Sequence, residues 1–555
     1  MKYALLSAAL IIAFVCHSHA QHGDHRHDPA EKLGDVTFVV SCAPQVQTHF
    51  NHAVAWLHSF EYDEAEKAFK EIAARDPKCA MAYWGVAMSS YHPLWAAPTT
   101  DELQRGWSAI EKAKSVGAQT QRERDYIDAL EIFYKDSATV DQRTRTFAYS
   151  DAMKHLYQNN ASDQEAAVFY ALALITTGTM SHDKTYAREK EAAQILNAVL
   201  ARQPQHPGVA HYLIHSYDYP PLAQLALPAA RSYAKIAPAS AHAQHMPSHI
   251  FIRLGLWQEA IRSNLDAESS AKAFALRHKI TGAWDEQLHA MDYLAYAYLQ
   301  TAQDKQALTV LAELNRIQNT EPQNFKVAYA FAAIPARLAL ERKSWDEATR
   351  LTLPQNTVNT FPWARFGWAE AHIHFARAVG FARTGNTSGA RTEVEKLAAL
   401  RDGLVIPKGE YDWATQVEIE RQIAAAWLAY AEGKNDEALK LMRAVADLDD
   451  ATDKHPVTPG AILPAREQLG ELLLEMKQPT AALQEFETSL RSAPERFNGL
   501  LGAARAANLA SDQKKARSYY EKLMALTQDS SGEPRPEIKE AKAFLAVVAR
   551  ERVKN

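Results

Sequence analysis

The 555-residue chain is short of residues that interrupt helices and of residues that cross-link chains. It holds only 21 glycines, 24 prolines and three cysteines. So few interruptions over this length, with abundant alanine, favour helix throughout. The formal charge of −5 is small for the size. It gives no reason to expect nucleic acid or an anionic membrane as partner. No segment after the first twenty residues is long and apolar enough to span a bilayer, so no transmembrane anchor is expected. The chain also lacks a P-loop, GxGxxG, GxSxG and CxxC, which removes support for nucleotide binding and common nucleophilic chemistry.

Residues 1–20 read as a signal peptide. Lys2 supplies the positive start, Ala4 to Val15 the apolar stretch, and Ser18-His19-Ala20 a small-residue cleavage site. Cys16 follows a bulky Val15, which fits a lipidation box poorly. The expectation is a soluble periplasmic or secreted protein. Removal of the signal leaves Cys42 and Cys79, an even pair that is expected to form a disulfide in an oxidising compartment. Residues 21–43 are expected to be His-rich and largely disordered. There His22, His25 and His27 alternate with acids and are candidates for weak Cu or Zn capture; a plain solvated tail is the alternative.

From residue 44 helical apolar spacing is nearly continuous. In YDEAEKAF at 62–69, Ala65 and Phe69 take a small and an aromatic position, and Pro77 closes the unit. Ala482, Phe486 and Pro494 repeat the frame. At a period of ~34 residues this resembles the tetratricopeptide repeat. The resemblance implies an all-α solenoid, a right-handed superhelix of ten to twelve helical hairpins with an extended concave wall. We divide it into an N-terminal array with a His-lined groove, 44–321, and a C-terminal array, 322–555. Residues 88–125, 176–190, 270–287 and 400–418 break the period and read as longer loops or stretched repeats. The stretches FNHAVAWLHSFEY at 50–62, DPKCAMAYWG at 76–85, HPGVAHYLIH at 206–215 and HMPSHIF at 245–251 resemble a group of exported bacterial tetratricopeptide proteins. That resemblance brings no activity with it, so function rests on the residues.

His211 and His215 recur one repeat later as His245 and His249. Each pair is spaced i,i+4, so its imidazoles share a helix face, and stacked repeats place the pairs side by side. By the repeat resemblance, groove-lining positions two, five and nine add His242, His289 and Asp292, with His206 just before the first. Imidazole nitrogen is a common ligand for Zn and Cu, and rigid helices preset its direction. Asp292, Asp218, His206 or Tyr217 are candidates to orient the rings or to act as alternative ligands. Neither pair is HExxH, so a metalloprotease base is missing. Pro247 is tolerated only in a first helical turn, so a helix is expected to start near Met246, leaving His242 and His245 on a loop. The bland alternative is histidines bonded to tyrosines such as Tyr212 and Tyr293, without metal.

Other histidines carry less. His49, His52 and His58 spread around one helix and read as surface or interface residues. His372 and His374 have a strand-like spacing and read as structural. His182-Asp183 lies in an irregular loop within reach of the groove. Trp56, Trp84, Trp95, Trp107 and Trp257 read as helix packing. The reading is an exported solenoid that binds Zn or Cu through a His cluster, as a binding protein rather than an enzyme. The alternatives are a metal-free scaffold with a protein or peptide in the groove, and a metal-dependent hydrolase or oxidoreductase. Oligomeric state is not specified by the sequence.

Overall fold

The computed structural model describes residues 31–94, 97–355, 357, 360–406, 411–530 and 533–554. The signal segment, His22, His25, His27 and Trp95 lie outside them. The described chain is almost wholly helical. Twelve antiparallel hairpins follow one another from Gln47–His58 with Tyr62–Arg75 to Phe497–Leu509 with Gln513–Leu526, and Pro536–Lys554 is a last single helix. This is a tetratricopeptide-type helical-repeat solenoid.

The sequence builds each hairpin by local means. Thr99 and Thr120 close capping boxes with Glu102 and Glu123, which satisfy free N–H groups at two helix starts. Small residues let the aromatic of the second helix reach across. A Cβ on Gly85 would lie 2.2 Å from Phe69, and one on Gly502 2.2 Å from Phe486. Ala65, Phe69, Ala482 and Phe486 are fully buried. Burial of one such phenylalanine stabilises its hairpin by roughly 1.5–3 kcal/mol.

The solenoid winds far more tightly than an open concave wall. Helix Gln47–His58 packs on Pro207–Tyr217, and Asp285–Gln300 packs on Phe497–Leu509. Trp257 donates its indole N–H to the Glu495 carbonyl at 2.7 Å. Buried Arg496 bonds Glu341, Glu467 and Tyr296 across three repeats. The inner wall is thereby covered by the protein itself, and groove positions become core.

Some expectations are met, among them the disulfide and the stretched repeat at 88–125, and others change. Of the segment expected to be disordered up to residue 43, residues 31–43 are extended but packed: Leu33 and Phe38 are buried, and Asp35 N–H bonds the Gln205 carbonyl at 2.9 Å. Cys42 and Cys79 form a disulfide that pins this segment to the start of helix Ala80–Met88. The region 88–125 is mainly two helices, Thr100–Val116 and Gln121–Tyr134, because two capping boxes fall there. Between 270 and 287 helix Trp257–Arg277 runs on. Strand Ala283–Trp284 then pairs in parallel with Thr320–Glu321. No helix among the described residues is long and apolar enough to cross a membrane.

Candidate metal centre

Three adjacent repeats carry the histidines. His211 and His215 lie on helix Pro207–Tyr217, begun by Pro207 and capped by His206, whose Nδ1 accepts from Val209 N–H. The next repeat's first helix is split. Ser240 caps Ala241–His245, and Pro247 starts Pro247–Arg253. His242 and His245 therefore sit on a short helix of their own. The loop expected for them does not form, because the Ser240 hydroxyl and the Met246 N–H to His242 carbonyl bond close the extra turn. His289 lies on Asp285–Gln300.

The six imidazoles divide into two triads. In the first, His211, His215 and His242 bring three nitrogens within 4.8 Å of one another. In the second, His245, His249 and His289 do the same. All six are buried. The triads adjoin: the His215 and His249 ring centres are 6.4 Å apart, as are those of His242 and His245.

Hydrogen bonds fix the tautomers. His211 Nδ1 lies 2.7 Å from the His58 carbonyl, which can only accept, so Nδ1 carries the proton and Nε2 is bare. That single lone pair meets His215 Nε2 at 3.0 Å and His242 Nε2 at 3.2 Å. One lone pair cannot accept two full hydrogen bonds. The second triad is more constrained. His245 Nδ1 donates to Asn264 Oδ1 at 2.7 Å, and the amide orientation is set because Asn264 Nδ2 donates to the Ala260 carbonyl. His249 Nδ1 donates to Asp218 Oδ2 at 3.2 Å. Both Nε2 atoms are then bare, yet they face each other at 3.1 Å. Tyr293 Oη is 3.2 Å from His249 Nε2 but gives its proton to the Val457 carbonyl at 2.9 Å.

Protonation does not relieve this crowding of lone pairs. Burial first, and then the neighbouring imidazoles, push His211, His215, His245 and His289 well below the ordinary imidazole value. Burial brings His249 down to about 4 despite Asp218. Three of the separations, 3.0, 3.2 and 3.1 Å, are instead close to the roughly 3.3 Å edge of a tetrahedron with ~2.0 Å metal–nitrogen bonds, and the others lie within 4.8 Å. The donor set fits Zn or Cu, with three imidazoles in each triad, and the far nitrogens of His211, His245 and His249 are anchored by hydrogen bonds.

The two triads differ in what completes them. Tyr293 offers the second triad a fourth, oxygen donor. The first has three nitrogens and reaches two cavities, one of about 370 Å³ through His215 and one of about 1440 Å³ through His242. A metal there can keep an open position, as catalytic sites do.

Other predicted residues fall differently. Asp218 does orient His249; burial would raise its carboxyl, but Lys454 and Arg253 hold it well below the usual range. Asp292 does not join the histidines. It turns toward Arg337, 3.8 Å away, and burial raises it to about 6. Tyr293, one residue on, takes the place expected for it. His206 belongs to a separate chain in which Glu165 accepts from His206 and His58, both at 2.9 Å, while Tyr212 bonds His58 Nδ1 at 3.0 Å. Each nitrogen there has its own partner, so this His–Glu–His group is structural. His58 is fully buried, not a surface residue, because the coil brings helix Gln47–His58 against the fifth hairpin. Tyr217 is half-buried and bonds Asn197 rather than the imidazoles. His182 and Asp183 line the smaller cavity. His372 and His374 lie on helix Gly367–Arg383, not a strand, and bond Glu420 and Glu393. Sequence reasoning missed Asn264, Glu286 and the Val457 carbonyl; only Glu286 had a local signal, three residues before His289 on the same helix.

No family model matches the chain, and no curated protein is similar to it. Solved structures of helical-repeat proteins are similar. A tetratricopeptide repeat protein from Parabacteroides merdae has 13% identity and a TM-score of 0.29, over 55% of this chain and 98% of its own. Human IFIT1, as a dimer with m7Gppp-AAAA, has 12% identity and a TM-score of 0.34, over 81% and 90%. A monomeric IFIT1 mutant with Gppp-AAAA has 12% identity and a TM-score of 0.37, over 85% and 95%. These likenesses concern the helical-repeat fold alone.

Proposed function

We propose that this chain is an exported, periplasmic or secreted protein that holds Zn or Cu, one ion at each imidazole triad. One observation carries the reading: His245 and His249 face each other through bare nitrogens at 3.1 Å while their other nitrogens are committed to Asn264 and Asp218. A cation resolves that contact; a metal-free core would have to tolerate it. The disulfide supports an oxidising compartment.

Elemental analysis of protein purified without a His tag tests this. Wild type is expected to carry about two ions per chain by this reading. The His211, His215, His245 and His249 quadruple alanine variant should carry none while its circular dichroism stays helical. No metal in wild type after incubation with Zn and Cu would end the proposal.

A catalytic version has a specific observation behind it, the access of the first triad to two cavities. A metal with an open position there would activate a bound small molecule or water. Turnover that vanishes on chelation and returns with metal would establish it.

A further inference from the structure

We infer that the smaller cavity, which His215 of the first triad lines, binds a small primary amine with an apolar body. The cavity, of about 370 Å³, falls near the lower end of the range for small-molecule sites. Five carboxylates line it, and four are already engaged. Asp218 takes Arg253 and Lys454, and Asp453 pairs with Lys184 at 2.7 Å. Asp183 and Asp412 accept from the N–H groups and hydroxyls of Thr185 and Thr415.

Glu189 is the fifth. It is 2 % exposed and forms no ion pair among the described residues. Its Oε1 takes the Tyr219 hydroxyl in a long bond of 3.4 Å, while its Oε2 is buried without a hydrogen-bond partner. Burial, and then the like charges of Asp183 and Asp453, push this carboxyl above its usual range. An unmet oxygen in such a place costs stability until a donor arrives, and an ammonium supplies both donor and charge. The chain makes room for the carboxyl. Gly178 of helix Gln164–Ser181 faces it, and an added Cβ would sit 2.4 Å from Oε1. The walls suit the same ligand. Tyr186 and Tyr219 line the cavity with ring centres 4.6 Å apart, and aromatic faces attract an ammonium. Leu94, Ile175 and Pro456 offer contact to an apolar body.

Binding at Glu189 does not depend on metal. Only its consequence, that the held amine shares its cavity with His215 of the first triad, rests on the proposed metal function. The test is isothermal titration calorimetry of the full chain, metal-free and Zn-loaded, with 2-phenylethylamine, the neutral 2-phenylethanol and the anionic phenylacetate. We expect saturable binding of the amine in both forms of the protein, at least about tenfold tighter than the alcohol or the acid. Glu189→Gln should remove most of that preference while leaving the alcohol's affinity unchanged, and Gly178→Ala should weaken the amine by displacing the carboxyl. The preference of the wild type decides the matter even if both variants fail to fold. Equal binding of amine and alcohol, tighter binding of phenylacetate, or an unchanged preference in a folded Glu189→Gln protein would overturn the inference. Amine binding with no metal would remove only the metal proposal; metal without amine binding would remove only this one.

Discussion

At the scale of single residues, the proposed centre depends on groups outside its donor set. Asn264 and Asp218 each take one imidazole proton and so aim the opposite lone pair inward. Asn264→Ala or Asp218→Asn should lower metal affinity about 10–100-fold while the helical content persists, as read by competition with a chromophoric chelator. An unchanged affinity would mean that the rings are held by packing alone. Far from the centre, Glu393 offers a pH test of local stability. Burial would raise its carboxyl, but His374 and Arg377 hold it down to about 2, against 4.5 for the free group. The unfolded chain thus takes up this proton first. The stabilisation is complete above about 4.5 and lost as the pH falls toward 2. Glu393→Gln should cost on the order of 2 kcal/mol at neutral pH, with the two melting temperatures converging in acid.

At the scale of helices, close approach is the controlling fact. Gly208 lies where helix Pro207–Tyr217 crosses helix Gln47–His58, and an added Cβ would sit 2.6 Å from His58 Nδ1. Gly208→Ala should therefore separate the two helices, destabilise the chain by about 1–3 kcal/mol and loosen the His211 anchor on the His58 carbonyl. Thermal melts and metal content measure both effects together. Helices were also the most readable level in the sequence. The i,i+4 pairs, the repeat period and the Pro247 break all have local physical signals. What could not be read is rotation about each helix axis. The repeat frame pointed Asp292 at the groove, whereas the winding turns Tyr293 there and gives Asp292 to Arg337. Which of the two readings of His58, surface or interface, would hold was unreadable for a related reason, since its burial comes from a helix about 150 residues away.

At the scale of the whole molecule, the decisive property is how far the coil turns. Repeat periodicity gives the hairpins but not the superhelical pitch, because pitch follows from small rotations summed over every interface. An open concave wall was the natural expectation; the observed coil closes on itself and divides six groove histidines into two buried triads. Residues from the far half complete the centre. Lys454 reaches Asp218 at 3.3 Å, and the Val457 carbonyl takes the Tyr293 proton. A chain cut after residue 450 should keep all six histidines yet bind metal at least about tenfold more weakly, by chelator competition, with the loss of anchoring groups as the cause. Retained affinity would show that the triads need only their own repeats.

If the triads hold the proposed ions, the contacts of Lys454 and Val457 with them make the coiling of the chain and the occupancy of its histidines two faces of one equilibrium. By reciprocity, whatever tightened the grip on such an ion would equally resist uncoiling, and a force or partner that pried the two halves apart would weaken its binding. A load applied at the ends would then be felt as a change in ion release at the centre.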